Sequence, residues 1–268
     1  ERLYGYTFTP VPAGSVPVFH PDVEVFEVKD KASGRHIGLF YSDDFARPGK
    51  RSGAWMTSYR LGWAYDGGGN QLVSNNNNFI KAEAGQPLLI SLDDAETLFH
   101  EFGHALHYLS YKVTYPSLGG TPRDYVEYPS QVHEHWVLSR PILDGFMKHV
   151  ETGQPMPQEL VDKIEASSKF NQGYDFGEVL EAALLDMKWH ALSKDEAAAI
   201  DTPEKVSAYE TKSLKDLGLE IELVPPRYRT TYFNHIFSGP TGYSSGYYSY
   251  LWTQMLDRDS RAWFLENG

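Results

Sequence analysis

The stretch "SLDDAETLFHEFGHALHYLSY", residues 91–111, decides how the chain is read. Ser91 stands three residues before Asp94, and acids fill the first turn, a capping-box-like helix start. Leu98, Phe102, Ala105, Leu106 and Leu109 then recur at helical spacing. The pattern predicts a helix over about 93–111. On it His100 and His104 lie one turn apart on one face. Both imidazoles can therefore reach one tetrahedral zinc ion at ~2.0–2.1 Å. Glu101 is turned by roughly 100° from His100, beside such a metal without being a ligand. The five-letter pattern also arises by chance on ordinary helices. The cap and the apolar opposite face are what favour a metal site.

This His-Glu-x-x-His order is the pattern of zinc peptidases. His107 shares the helix face but fails as third ligand, because it lies about 10 Å along the axis from His100. Two nitrogens on one zinc are at most ~4 Å apart. The extended motif with a third histidine on the same segment also fails, since Ser110 occupies that place. A third ligand must come from elsewhere, with the fourth position left for water. Glu127, His133, Glu134, His135, Glu178 and Glu181 are candidates, and spacing does not choose among them. "RDYVEYPSQVHEHW", residues 123–136, is the densest cluster, and an antiparallel return would bring it against the first helix.

Composition narrows the function. The 268 residues suffice for one large or two small domains. Hydrophobic residues make up 41% and charged residues 22%, ordinary for a soluble globular chain. No apolar run approaches the ~20 residues of a membrane helix. Net charge is −12, from 36 acidic and 24 basic residues, which argues against nucleic acid as a partner. Cysteine is absent, so a metal must be held by His and carboxylate. The chain starts at Glu1 with no secretory pattern after it, and "RAWFLENG" (261–268) reads as a helix stopping at a Gly. Both ends read as cuts in a larger protein.

Residues 1–90 read as β and loop. "VPVFHPDVEVFEVKD" (16–30) and "RHIGLFYSDDF" (35–45) show short alternating runs broken by Pro, Gly and Asp. "DGGGN" (66–70) and "SNNNN" (74–78) read as turn and loop. Helices follow over about 93–111, 125–149, 157–170, 174–192, 203–216 and 245–265, with "VPPRY" and "SGPTGYSSG" between the last. The expected fold class is mainly α with a small N-terminal β-sheet portion, that is α+β. The expected organisation is one catalytic region over 1–268, β-rich to 90 and helical and zinc-binding from 91.

Five motifs in order, "FHEFGHALH", "RDYVEYPSQVHEHW", "LLDMKWH", "PPRYRTTYFNHIF" and "GYSSGYYSYLWTQML", resemble the thimet oligopeptidase family of zinc peptidases. The resemblance is nearest to its bacterial peptidyl-dipeptidases, also called dipeptidyl carboxypeptidases, and covers nearly the whole chain. It implies a zincin-like catalytic region with His100 and His104 as ligands of one Zn2+ and Glu127 as the third. It implies Glu101 as general base and later proton donor. It places His235, Tyr243, Tyr247 and Tyr250 around the substrate. Family members carry a long helical half before this region and further helices after it. This chain has neither, so the remainder of the same polypeptide is an expected partner.

In the expected mechanism Glu101 takes a proton from the attacking water and returns it to the leaving amine. Tyr247 or His235 donates to the developing oxyanion. "YSSGYYSYLW" (243–252) equally suits an aromatic face packed in a core. "SGAWM" (52–56), with Gly53 and Ala54, would pair as a strand edge with an extended peptide. Arg227, Arg229 or a tyrosine hydroxyl would read a free C-terminal carboxylate, although "PPRYR" also reads as a structural turn. Glu178 and Glu181 read as solvated or capping charges, and Glu96 as a helix N-terminal acid rather than a partner of His100. The expected activity is a zinc metallopeptidase releasing C-terminal dipeptides from oligopeptides. Alternatives are an endo-oligopeptidase of the same family and an inactive fragment that binds zinc or peptide. Membrane association is not expected. The expected compartment is the cytoplasm, with the periplasm open.

Overall fold

The computed structural model describes residues 3–83, 85–239 and 242–267. Pro240 and Thr241 of the expected break, and Gly268 at the expected helix stop, lie outside them. The chain divides into two compact units, one of Glu1–Thr121 and Tyr128–Leu143, the other of Pro122–Glu127 and Asp144–Gly268.

The first unit is built on a five-stranded sheet of β1 (Tyr6–Pro10), β2 (Glu24–Asp30), β3 (His36–Phe45), β4 (Trp55–Arg60) and β5 (Gln71–Phe79). The strand order is β1-β2-β3-β5-β4. Only the β3–β5 pairing is parallel among these neighbours. Helix α1 (Leu92–Leu109) packs Ala105, Leu106 and Leu109 against Tyr6, Val28, Ile37, Phe40 and Val73. These are the apolar positions whose 3.6-residue and two-residue periods marked helix and strand. Parallel neighbours approach closely at Gly38, where an added Cβ would sit 2.1 Å from the Gln71 carbonyl oxygen.

Two segments depart from the sequence reading. The run Ser74–Asn78 is not a loop but part of β5, with Ser74–Asn76 paired on both sides and the run largely buried. Asn has a weak strand preference, yet here the side-chain amides of Asn76, Asn77 and Asn78 find acceptors. Asn76 Nδ2 donates to the Trp55 carbonyl at 3.0 Å, and Asn77 Nδ2 to Asp44 Oδ1 at 2.8 Å. Asn78 Nδ2 donates to the carbonyls of Arg51 and Gly53 at 2.8 and 2.7 Å. Second, the expected helix over 125–149 is two short ones, α2 (Tyr128–Glu134) and α3 (Arg140–Gly145). Pro141 has no N–H and would clash with a preceding helical carbonyl, so it sits in the first turn of a new helix instead.

The second unit is helical, with α4 (Gln158–Ser167), α5 (Gln172–His190), α6 (Lys194–Ala199), α7 (Pro203–Asp216), α8 (Asn234–Phe237) and α9 (Ser249–Asn267). Thr202 caps α7 by accepting from the Lys205 N–H at 3.3 Å, with Pro203 at the first position. The core gathers Ala182 and Ala183 of α5 with Phe233, Ile236 and Tyr247. Tyr228, Tyr243 and Tyr250 pack on it. Among the described residues no helix is long and apolar enough to cross a membrane.

Gly38→Ala must push β3 from β5 and is expected to cost about 1–3 kcal/mol. Gly120→Ala meets open space and should stay within ~0.5 kcal/mol of the parent. Urea midpoints measured on both variants check the contrast.

Candidate metal centre and its surroundings

Ser91 Oγ accepts from the Asp94 N–H and the Asp94 carboxylate accepts from the Ser91 N–H, each at 3.0 Å. This capping box sets where α1 begins, and with it the rotation of the histidine face. The rings of His100 and His104 stand 4.9 Å apart at 82°. Glu101 and His104 are 5% and 9% exposed. His100 Nδ1 lies 2.6 Å from Glu134 Oε1. A carboxylate only accepts, so Nδ1 carries the proton and Nε2 keeps its lone pair for a metal.

Glu134 reaches His100 because α2 lies hard against α1. A Cβ on Gly103 would sit 2.8 Å from Ser130 Cα and 2.9 Å from the Pro129 carbonyl oxygen, so only Gly fits there. His133 Nδ1–H donates to the Phe99 carbonyl at 2.8 Å, tying the two helices again. Glu127 directly precedes Tyr128, the first residue of α2. His100, His104 and Glu127 each offer a ligand atom within 4.8 Å of the others.

Several other candidates have different partners. His107 packs its ring against Tyr111 at 5.0 Å, and burial holds its pKa below the ordinary value, with His104 adding to the effect. His133 is committed to Phe99. Glu134 supports His100, a role the sequence reading had considered for Glu96. Glu178 accepts from the Tyr174 hydroxyl at 2.9 Å and faces Arg227 at 3.6 Å. Glu181 is not solvated but 8% exposed, and burial, then the Glu178 charge, raises its pKa.

Within the second unit, the Tyr243 hydroxyl donates to Glu127 Oε1. Arg123 lies over the Tyr243 ring at 4.9 Å. Tyr247 is the best buried of the tyrosines expected around substrate, with Phe233 at 5.0 Å, His235 at 5.4 Å and Tyr250 at 4.9 Å. Its segment is thus partly the aromatic core that the sequence also allowed. Burial, then Glu127, pushes the Tyr243 phenol well up, and burial, then Tyr228, does so for Tyr247. Tyr250 is also raised well above an ordinary phenol, chiefly by burial. Burial lowers His235, opposed by the Glu127 charge. At neutral pH these are a neutral imidazole and protonated phenols, all able to donate hydrogen bonds. Arg229 pairs with Glu210, which also accepts from the Thr230 N–H at 2.6 Å.

Gly53 has φ of 85°, and with Ala54 it leads into β4, the terminal strand of the sheet. Asp186 of α5, fully buried, was not singled out from the sequence. Its only mark there is an acid inside the apolar run "LLDM".

The comparisons with known proteins agree over the whole chain. The model of peptidase family M3 matches residues 1–268. Dipeptidyl carboxypeptidase of Escherichia coli (strain K12) is 44% identical over 270 residues, covering 100% of this chain and 38% of that protein. Oligopeptidase A of the same organism is 34% identical over 278 residues, with 100% and 38% covered. Organellar oligopeptidase A of Arabidopsis thaliana is 32% identical over 291 residues, with 100% and 34% covered. The class is that of the metallopeptidases. The chain belongs to peptidase family M3, and spans a little over a third of the length of these relatives.

Zinc is the metal the family implies. Two imidazoles and a carboxylate converging without thiolate suit that ion and leave a coordination position open. Glu134→Ala removes the acceptor from His100 Nδ1–H. It should weaken zinc binding by ~10–100-fold while the far-ultraviolet spectrum is kept. Competition with a chromogenic chelator checks the shift.

Proposed function

We propose that this chain is the catalytic region of a zinc metallopeptidase that cleaves oligopeptides and releases C-terminal dipeptides. The observation that carries the reading is the convergence of His100, His104 and Glu127, with Glu101 beside both histidines on the same helix. Zinc held there would serve as a Lewis acid toward water and the scissile carbonyl. Glu101, buried next to it, accepts the proton of the attacking water and returns it to the leaving amine. Glu134 fixes the tautomer of His100, and the Tyr243 hydroxyl orients Glu127. Tyr247 or His235 donates to the carbonyl oxygen as charge develops. Substrate backbone pairs with the β4 edge near Gly53 and Ala54, and Tyr250 walls the side-chain pocket. Arg227 receives the free C-terminal carboxylate.

A second reading is an endo-oligopeptidase, in which no terminal carboxylate is needed. It is favoured by the engagement of Arg229 with Glu210 and of Arg227 with Glu178, which occupies both candidate cations. A zinc-loaded chain that cleaves no short peptide would leave only a binding fragment. Activity as cytoplasmic or periplasmic peptide clearance, alone or with the rest of the polypeptide, belongs to the same proposal.

Amidating the C-terminus of an oligopeptide should lower kcat/KM more than 10-fold for the peptidyl-dipeptidase, as a charge-assisted contact is lost. Equal rates on acid and amide select the endopeptidase. Glu101→Gln should keep zinc and lose at least ~10²-fold in kcat. Turnover that persists in that variant would remove Glu101 from the mechanism.

A further inference from the structure

Tyr243 and Tyr247 are the two ends of one turn, and the turn is anchored at several points. The Tyr243 N–H donates to the His235 carbonyl at 2.7 Å and the Gly246 N–H to the Tyr243 carbonyl at 2.8 Å. Ser244 Oγ donates to the Ile236 carbonyl at 2.8 Å. Between the tyrosines, Ser245 has φ of 55°, a left-handed conformation that costs a residue with a Cβ about 1 kcal/mol or more. Something must hold it there. Asp186 does so from α5. Its Oδ1 accepts from the Ser245 N–H and its Oδ2 from the Tyr247 N–H, both at 2.9 Å. His190, one turn further along α5, donates from Nδ1 to the Asp186 backbone carbonyl at 3.0 Å and holds the same nitrogen 2.7 Å from Asp186 Oδ1.

A fully buried carboxylate is expensive unless its oxygens are satisfied. Here two backbone N–H groups satisfy them, with the His190 imidazole alongside Oδ1. The core of the second unit does not require a charge at this place, since its neighbours on α5 are Ala182, Ala183 and Leu185. What the carboxylate adds is direction. Two donors on either side of Gly246 converge on one rigid group, which fixes the angle at which the Tyr247 ring leaves the backbone.

We propose that Asp186, braced by His190, is a positioning residue for the tyrosine-bearing turn, holding Tyr243 and Tyr247 in register with each other for catalysis. The proposal rests on the peptidase reading for its kinetic consequence, and on geometry alone for the clasp itself. Asp186→Asn keeps the shape but turns an amide NH2 toward one of the two N–H donors.

The test uses the full chain. In Asp186→Asn, amide hydrogen exchange at Ser245 and Tyr247 should rise at least ~10-fold. Exchange in α7 should stay at the parent level. With zinc and a free-acid hexapeptide, kcat should fall ~10–100-fold with KM changed less than ~3-fold, the signature of misplaced catalytic groups. Unchanged exchange overturns the clasp. Faster exchange with unchanged kcat also overturns the proposal, since Asp186 would then only stabilise the fold. Should Asp186→Asn fail to fold, His190→Phe decides instead. It keeps the ring beside Phe237 and deletes the brace, so the same two amides should loosen and kcat should drop at constant KM. A folded His190→Phe with neither change overturns the proposal. A parent chain that binds zinc but cleaves nothing is a separate result. It removes the peptidase reading, while exchange still reports on the clasp.

Discussion

The contact at Gly103 is the constraint on which the setting of the histidine face depends. Where α2 crosses α1, backbone atoms of Pro129 and Ser130 occupy the space a side chain would need. At that distance His133 reaches the Phe99 carbonyl and Glu134 reaches His100. Two contacts onto α1 thus depend on one missing methyl group. The sheet below supplies the other half of the constraint, because Ala105, Leu106 and Leu109 of α1 are buried against it. With that face committed to the sheet, the histidine face has one direction left to point.

The second unit answers a different problem. Its core contains phenols and an imidazole, groups that cost free energy when buried without partners. Aromatic packing covers the rings, and the Tyr243 hydroxyl is directed by the Glu127 carboxylate. Two buried acids of this unit, Asp186 and Glu210, accept from backbone N–H groups of loops. Burial keeps the phenols protonated, so each retains an O–H donor.

Much of the site was legible because it is local. The histidine pair, Glu101 and the Ser91 cap lie within fourteen residues and follow from helix periodicity. The strand run Ser74–Asn78 was not legible. Asparagine signals turns, and only partners on β3, β4 and the loop at Arg51–Gly53 make it a strand. The break between α2 and α3 was in principle readable at Pro141, but the apolar period ran through it.

The sequence by itself determined that α1 exists, where it begins, and that His100, Glu101 and His104 sit together on it, because bonds between near neighbours set those features. It also determined the family, through ordered motifs spread over the chain. Only the tertiary structure decided which carboxylate of the "RDYVEYPSQVHEHW" cluster supports His100. That choice rests on residues 34 positions apart in the chain, His100 and Glu134. Local periodicity carries no information at that range. Backbone approach between packed helices does.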